Sequence, residues 1–467
     1  MDLITFTHMT AMSLHRVGLA GAAVEMKTFH RLGKEWQQEA AMLKDKIVKF
    51  ALRKGMEQFS PTNDNQVREL LFDKMKLPSY GKTKTGERAV DKFNLQRIQN
   101  EHKKIPFIDN LIAFNQSDKL ASTWYGVEGR NSKSVQSLIQ PLLGGSAGTG
   151  KDDLGLLHNW IFPLRTRTGR RSSGGGEEGD PAARNSQNWP PAARSIIRSR
   201  WAKSKIAVCD FSRLEVVLVG WVAGDEKLLD YFLNGRGYLD VAREFWGTEV
   251  EDGSKQYKVT KALVLGLNYG MGHYHLAMDL KHKAGFEFST DWEEHVKQTY
   301  KARDRYLNLF SALRSYHKAR YHEVSRTQQV VSATGRVRHM PHHGQDSEGY
   351  WRIKNQALNF PIQSLASDIT GGAIVDYEEA LLNEHKLSYA DWHRALLERP
   401  FDPPASPVFN EVHDELDIDL HPKTGKRDLE LLVESMRNCR TLKGLVPDFK
   451  LKLKVDVQAV KTWGEAK

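Results

Sequence analysis

Cysteine is almost missing from this chain: Cys209 and Cys439 are the only two in 467 residues. Two such thiols form neither a disulfide framework nor a CxxC metal site, which suits a reducing interior and makes the cytoplasm the default compartment. No stretch of about 18 apolar residues occurs, so no membrane-spanning helix is expected. The opening MDLITFTHMTAMSLHR has an acid at position 2 and no long apolar run, which speaks against a signal peptide. No internal repeat is visible. What the chain does have is length and basic charge. At 467 residues it exceeds one simple core, so two or three sub-structures with clefts between them are expected. Lys plus Arg number 68 against 58 for Asp plus Glu, a formal charge of +10 that favours a polyanionic partner.

Residues 24–58 are rich in Glu, Lys, Ala, Leu and Met without proline and read as a long charged helix. A second helix is expected after Pro61, with Val67, Leu70, Leu71 and Met75 at helical spacing. Lys82, Lys84, Arg88, Lys92, Arg97, Lys103 and Lys104 then form a basic stretch that could follow a phosphate backbone or simply be a solvated face. Gly144–Gly150 and Ser172–Gly179 read as exposed loops. A strand is expected at Lys205–Asp210, helix from Glu215 to Phe232, and a mostly helical insertion over 238–340. The segment from Val408 to Leu420 alternates apolar and acidic residues in its second half, a β-hairpin with His413 and Asp414 near its tip.

One motif is a decoy. Gly145-Ser-Ala-Gly-Thr-Gly150-Lys151 fits the first seven positions of a phosphate-binding P-loop, but the eighth is Asp152 where a magnesium-binding Ser or Thr is needed. Its carboxylate would repel a triphosphate, and a flexible loop explains the glycines equally well. A P-loop NTPase is therefore a minor alternative.

Three segments in fixed order carry more. Asp210-Phe-Ser-Arg-Leu-Glu215 puts an acid at a strand end and a second acid on the next element. Lys261, Leu265 and Tyr269 recur every four residues with Gly270 behind them, one helical face. His413-Asp414-Glu415 closes the series. Together these residues resemble a family A DNA polymerase of the bacterial polymerase I type, especially its bacteriophage-like members. Thr168-Gly169-Arg170 with Ser172-Ser173, Gln187-Asn188, Ala333-Thr334-Gly335-Arg336 and Asn359-Phe360-Pro361-Ile362-Gln363 agree in sequence order. Phe72-Asp73-Lys74 and Lys82-Thr83-Lys84-Thr85-Gly86 are similar to the family's thumb.

The resemblance implies an α+β multidomain right-hand fold with an antiparallel palm sheet, a helical thumb and helical fingers. The expected division is an N-terminal segment and thumb over 1–130, palm over 131–232, fingers over 233–340 and palm again over 341–467. It implies primer-template DNA and deoxynucleoside triphosphates as partners, and two Mg2+ ions, with Mn2+ as a possible substitute, held by Asp210 and Asp414 with Glu415 at the edge. Lys261 would meet the triphosphate as a further catalytic group, and Glu215 would exclude a ribose 2′-hydroxyl. Leu265, Tyr269 and Tyr257 would line the nucleotide. Arg170, Gln187, Asn188, Arg336, Asn359, Gln363, His413, Lys82 and Lys84 would meet DNA. Asn355, Asn359 and Gln363 form an amide face suited to minor-groove acceptors, which every base pair presents at similar places. The compartment implied is a bacterial or phage-infected cytoplasm, near the nucleoid.

The chain departs from the family where the triphosphate is gripped. Tyr257 replaces an Arg one turn before Lys261, with Lys258 or Lys255 as candidates to compensate, Leu239 replaces a phosphate-binding His, and Leu265 stands where Phe or Tyr is usual. The last change is expected to alter discrimination against dideoxynucleotides. Only about 60 residues precede the thumb-like helix, below ordinary domain size, so proofreading within these residues is not expected: the polymerase works without it, a separate exonuclease chain supplies it, or the chain is a fragment of a longer protein. Two further alternatives remain: a single-subunit RNA polymerase, which Glu215 opposes, and a catalytically silent DNA-binding accessory subunit, which would tolerate loss of the acids.

Overall fold

The computed structural model describes all residues except 84, 103–104, 127–133, 135–138, 142–153, 175–184, 342–346 and 467. The P-loop-like stretch 145–152, most of the second glycine-rich stretch, and Lys84, Lys103 and Lys104 lie outside the described residues. The chain forms two compact units. One comprises Met1–Ala22, Asn159–Ser173 and Ser199–Lys467; the other comprises Ala23–His158 and Gly174–Arg198. These lines differ from the four-part division expected from sequence: residues 1–22 group with the 199–467 unit, and 233–340 do not separate from it.

In the Ala23–His158 unit, the long helix runs Met26–Arg53 and buries Phe29, Trp36, Ala40, Leu43, Ile47 and Ala51 along one stripe. It begins later than residue 24 because Ala22–Glu25 is a strand. It ends before residue 58 where the Lys54 amide closes on the Ala51 carbonyl and Gly55 turns to φ 78°. Its stripe packs with Leu70, Leu71, Ile98, Ile108, Leu111 and Phe114. The helix after Pro61 starts at Asp64, where the Asn63 side chain accepts from the Asn65 and Gln66 amides, and widens into a π-helical turn over Glu69–Lys74.

The other unit is built on a four-stranded antiparallel sheet in the order Val455–Val460, Ile206–Phe211, Glu415–Asp419, Val408–Val412. The hairpin expected near 408–420 is present, and the strand expected at 205–210 is its direct neighbour. Ala207, Cys209, Leu416 and Ile418 are fully buried and share a core with Leu365, Ile369 and Tyr377 of the 39-residue helix Ser347–His385, and with Leu432 and Met436 of Gly425–Asn438. Five helices, Tyr238–Trp246, Lys255–Asn268, His273–His282, Trp292–Leu309 and Ser311–Thr327, then a short hairpin, Gln329–Val331 with Val337–His339, fill the 238–340 insertion. Sequence patterning missed the helix Leu3–Ala20. Asp2 caps it by accepting from the Thr5 amide at 2.7 Å, and Phe6, Leu14 and Val17 are its buried apolar anchors. Among the described residues no helix is long and apolar enough to cross a membrane.

A buried ion pair ties the sheet to its surroundings. Asp419 accepts from Ser199 Oγ at 2.6 Å, from the Arg200 amide at 3.0 Å and from Arg200 Nε at 2.8 Å. The same guanidinium donates to the Ala20 and Gly21 carbonyls and to that of Pro400. Both side chains are out of water. Removing one partner strands a buried charge, so Asp419→Ala is expected to lower unfolding free energy by about 3–5 kcal/mol. Urea denaturation checks this, and a variant as stable as the parent would contradict it.

Candidate active site

Asp210 stands near the end of the Ile206–Phe211 strand and is the register partner of Glu415 on one side and Asp456 on the other. Directly opposed residues in an antiparallel sheet project from the same face, so three carboxylates form a row across three strands. Asp414 joins them through the hairpin turn. That turn has two residues, His413 and Asp414, and His413 adopts φ 61°, the left-handed conformation that tight hairpins favour. The Asp414 carbonyl accepts from the Phe211 amide at 3.1 Å, and Thr370 Oγ1 donates to the His413 carbonyl at 3.2 Å. The turn is thus held from both the neighbouring strand and the long helix.

The acids crowd one another. Burial first, then the charges of Asp414, Glu415 and Asp456, push the Asp210 carboxyl up to about 8. Burial raises Asp414 to about 6; its own amide bond and Arg170 oppose this, while Glu215 and Glu415 add to it. Among the described residues neither aspartate has an ion pair with Lys, Arg or His. Such a cluster lacks positive charge and fits a divalent cation. No group of three or more His, Cys, Asp or Glu among the described residues closes into an all-protein metal cage. Magnesium does not need one, since it takes one or two carboxylates and completes its shell with water and substrate phosphates.

Glu215 lies in the first turn of the Leu214–Ala223 helix and is clamped from two sides. Arg170 donates to its Oε1, and the Tyr269 hydroxyl donates to Oε2 at 2.7 Å. Burial and then the Glu215 charge hold the Tyr269 hydroxyl well above its ordinary range, so it stays protonated and able to donate. Tyr269 ends the Lys255–Asn268 helix, which starts at a Ser254 cap. That helix buries Val259, Leu263, Val264 and Leu267 and leaves Lys261 and Leu265 exposed. Lys261 Nζ lies 5.7 Å from the Tyr238 ring centroid, and Tyr257 meets Tyr238 edge-on at 6.2 Å. Leu239 belongs to an apolar cluster with Ala242 and Val250, against which Tyr257 packs.

On the long helix, Asn359 and Gln363 are half-buried and Asn355 is exposed, while Ala357, Leu358 and Ile362 are buried. Asn359 Oδ1 has no hydrogen-bond partner among the described residues. Arg336 is committed to Asp368, with Nη2 2.8 Å and Nε 3.0 Å from its carboxylate. This pins the 332–336 turn to the helix. Gln187, Asn188 and Lys82 belong to the Ala23–His158 and Gly174–Arg198 unit: Gln187 and Asn188 in a single 3-10 turn, and Lys82 bridged in register to Arg88. Sequence reasoning missed Asp456, Arg213 and Tyr238. The alternation Val455-Asp456-Val457 was the available signal for the first.

An acid at the end of a central antiparallel strand, a second in the adjoining hairpin turn, and a helix presenting Lys261, Leu265 and Tyr269 are arranged as a right-hand polymerase fold arranges them. The chain belongs to DNA polymerase family A, whose pattern it matches over residues 26–465. It is 26% identical over 465 residues to DNA polymerase I of Geobacillus stearothermophilus, covering 97% of this chain and 45% of that protein. It is 24% identical over 368 residues to the thermostable DNA polymerase I of Thermus thermophilus, covering 78% and 39%. The chain therefore spans less than half the length of these relatives. Its fold is similar to the POL domain of Pol1 from M. smegmatis, solved in complex with DNA primer-template and dNTP. The TM-score is 0.74 at 21% identity, over 97% of this chain and 69% of that one.

Raised carboxyls make the folded state bind more protons than the unfolded one, so stability falls as pH rises from the ordinary carboxylate value of 3.8 toward about 8. In metal-free buffer Asp210→Asn is expected to melt higher than the parent at pH 8, with the gain vanishing near pH 4. Thermal melts across that range check this; an equal difference at both ends would contradict it.

Proposed function

We propose that this chain is a template-directed DNA polymerase that adds deoxynucleotides to a primer 3′ end, acting in replication or repair of a bacterial or phage genome. The observation that carries the reading is the register that sets Asp210 opposite Glu415 and Asp456, with Asp414 joined through the Phe211 amide and neither aspartate in an ion pair with Lys, Arg or His among the described residues. Asp210 and Asp414 would hold two magnesium ions, with manganese as a substitute and Glu415 at the edge. When bound, such ions lower the pKa of the primer hydroxyl and neutralise charge on the phosphates.

The chain's own residues do the positioning. The turn anchored by the Phe211 and Thr370 bonds fixes Asp414 beside Asp210, so little reorganisation is needed as charge develops. Lys261, exposed and without an acid partner among the described residues, offers charge, and a proton, to the leaving pyrophosphate. Glu215, clamped by Arg170 and Tyr269, presents a fixed wall to the sugar and leaves no room for a 2′-hydroxyl. The Tyr269 ring borders the templating base, and Leu265 lies between it and Lys261 on the same face. Asn359, Gln363 and Arg170 would check the minor groove of the nascent pair, with the Asn359 acceptor still open. His413, Gln187, Asn188, Lys82, Lys84 and Arg336 are assigned to DNA, Arg336 through the turn it pins. The subdivision into thumb, palm and fingers and a nucleoid location belong to the same reading. Within these 467 residues extension would proceed without 3′ excision.

Asp210→Asn and Asp414→Asn are each expected to slow primer extension by about a thousandfold while primer-template binding persists. Extension at the parent rate by both variants would end this reading. Glu215→Ala is expected to relax preference for deoxyribonucleotides over ribonucleotides by at least about tenfold in kcat/KM. Unchanged selectivity would remove the wall assigned to this residue.

A further inference from the structure

The turn after the first acid carries a cation, Arg213, that is not among the residues the resemblance implies for the site. Arg213 follows Asp210 by three residues and has φ 57° and ψ 31°, a left-handed conformation that is uncommon for a long side chain. Its guanidinium lies against Gly237: a Cβ on that glycine would fall 2.5 Å from Nη1 and 2.9 Å from Cζ. The next residue, Tyr238, is the ring over which Lys261 Nζ sits and against which Tyr257 packs. Arg213 and Lys261 therefore approach one tyrosine pair from two different elements.

Neither cation has an ion pair or a side-chain hydrogen bond among the described residues. The acids nearby are engaged elsewhere. Glu215 is taken by Arg170 and Tyr269, and Asp240 accepts from the Arg236 amide. Asp252 faces Tyr257. Arg213 also acts electrostatically on both Tyr238 and Tyr257, though burial dominates at each ring. Two cations without an ion pair among the described residues, meeting at one tyrosine pair, are best satisfied together by a polyanion. A guanidinium, which can donate two parallel bonds to one phosphate, is suited to it. The residues at the two positions where the resemblance implies cations, Leu239 and Tyr257, carry no positive charge. Leu239 is nine-tenths buried in an apolar cluster, and Tyr257 packs on that cluster.

We propose that Arg213 is a triphosphate-binding residue which, with Lys261, grips the phosphate tail of the incoming nucleotide in place of the cations replaced by Leu239 and Tyr257. This rests on the polymerase reading for the identity of the nucleotide, but the anion site can be tested without it. Three variants serve: Arg213→Gln, Arg213→Lys, and Arg213→Gln combined with Tyr257→Arg. Calorimetric titration with inorganic tripolyphosphate reads the anion site alone. Steady-state extension reads KM and kcat, and inhibition by a deoxynucleoside monophosphate reads binding that lacks the β and γ phosphates.

Arg213→Gln is expected to weaken tripolyphosphate and raise KM for the triphosphate by about tenfold or more, with a smaller change in kcat. Monophosphate inhibition and primer-template affinity should stay at parent values. Arg213→Lys should retain part of the grip, and adding Tyr257→Arg to Arg213→Gln should recover part of it. Unchanged tripolyphosphate affinity, or equal weakening of tripolyphosphate and monophosphate, would overturn the assignment. A parent protein that binds tripolyphosphate through Arg213 yet extends no primer would instead overturn the polymerase reading.

Discussion

Everything at the candidate site depends on one antiparallel pairing. The strand Ile206–Phe211 lies between Glu415–Asp419 and Val455–Val460, with Asp210 opposite both Glu415 and Asp456, and the amide after Asp210 is bonded to the Asp414 carbonyl. Side chains in a sheet alternate faces with period 2, so a one-residue slip of either neighbour would turn its acid away from Asp210. The register is fixed by the buried row on the other face, where Cys209, Leu416 and Ile418 are out of water. Hydrophobic burial on one face thus sustains mutual repulsion among carboxylates on the other. The price of that arrangement shows in the upward shifts of Asp210 and Asp414.

The nucleotide side uses a different device. A helix with one buried stripe leaves Lys261 and Leu265 facing outward and ends at Tyr269, whose hydroxyl reaches back to Glu215. Glu215 stands five residues after Asp210, so the acid proposed for the sugar and the acid proposed for the metal are parts of one strand-to-helix turn. Arg213 occupies the same turn. On the proposed roles, changes in that short segment would act on metal, sugar and phosphate recognition together. Loss of the expected cations at positions 239 and 257 is accordingly readable as a shift of the phosphate grip toward this turn.

Much of this was legible in the sequence for a physical reason: periodicity and turn chemistry are local. The long helix, the hairpin tip at His413 and Asp414, and the helical face of Lys261, Leu265 and Tyr269 follow from spacing alone. The family resemblance supplied the meeting of Asp210 and Asp414, which spacing does not contain. What escaped were non-local pairings. Asp456 takes meaning only once its strand is set beside Ile206–Phe211. Arg336 was expected at DNA, but its guanidinium is paired with Asp368 of another element. The Leu3–Ala20 helix escaped because Thr, His and Ser interrupt its apolar stripe, although its Asp2 cap was visible. The boundaries of the two units also escaped, since segments far apart in sequence share one core.

The central claim is that these acids serve copying. The most direct measurement offers the purified chain four primed templates differing only in the next templating base, with one deoxynucleotide at a time, in magnesium and after chelation. The account predicts that each primer grows only with the complementary nucleotide and that growth ceases when the metal is removed. Absence of extension, or addition that ignores the templating base, would contradict it.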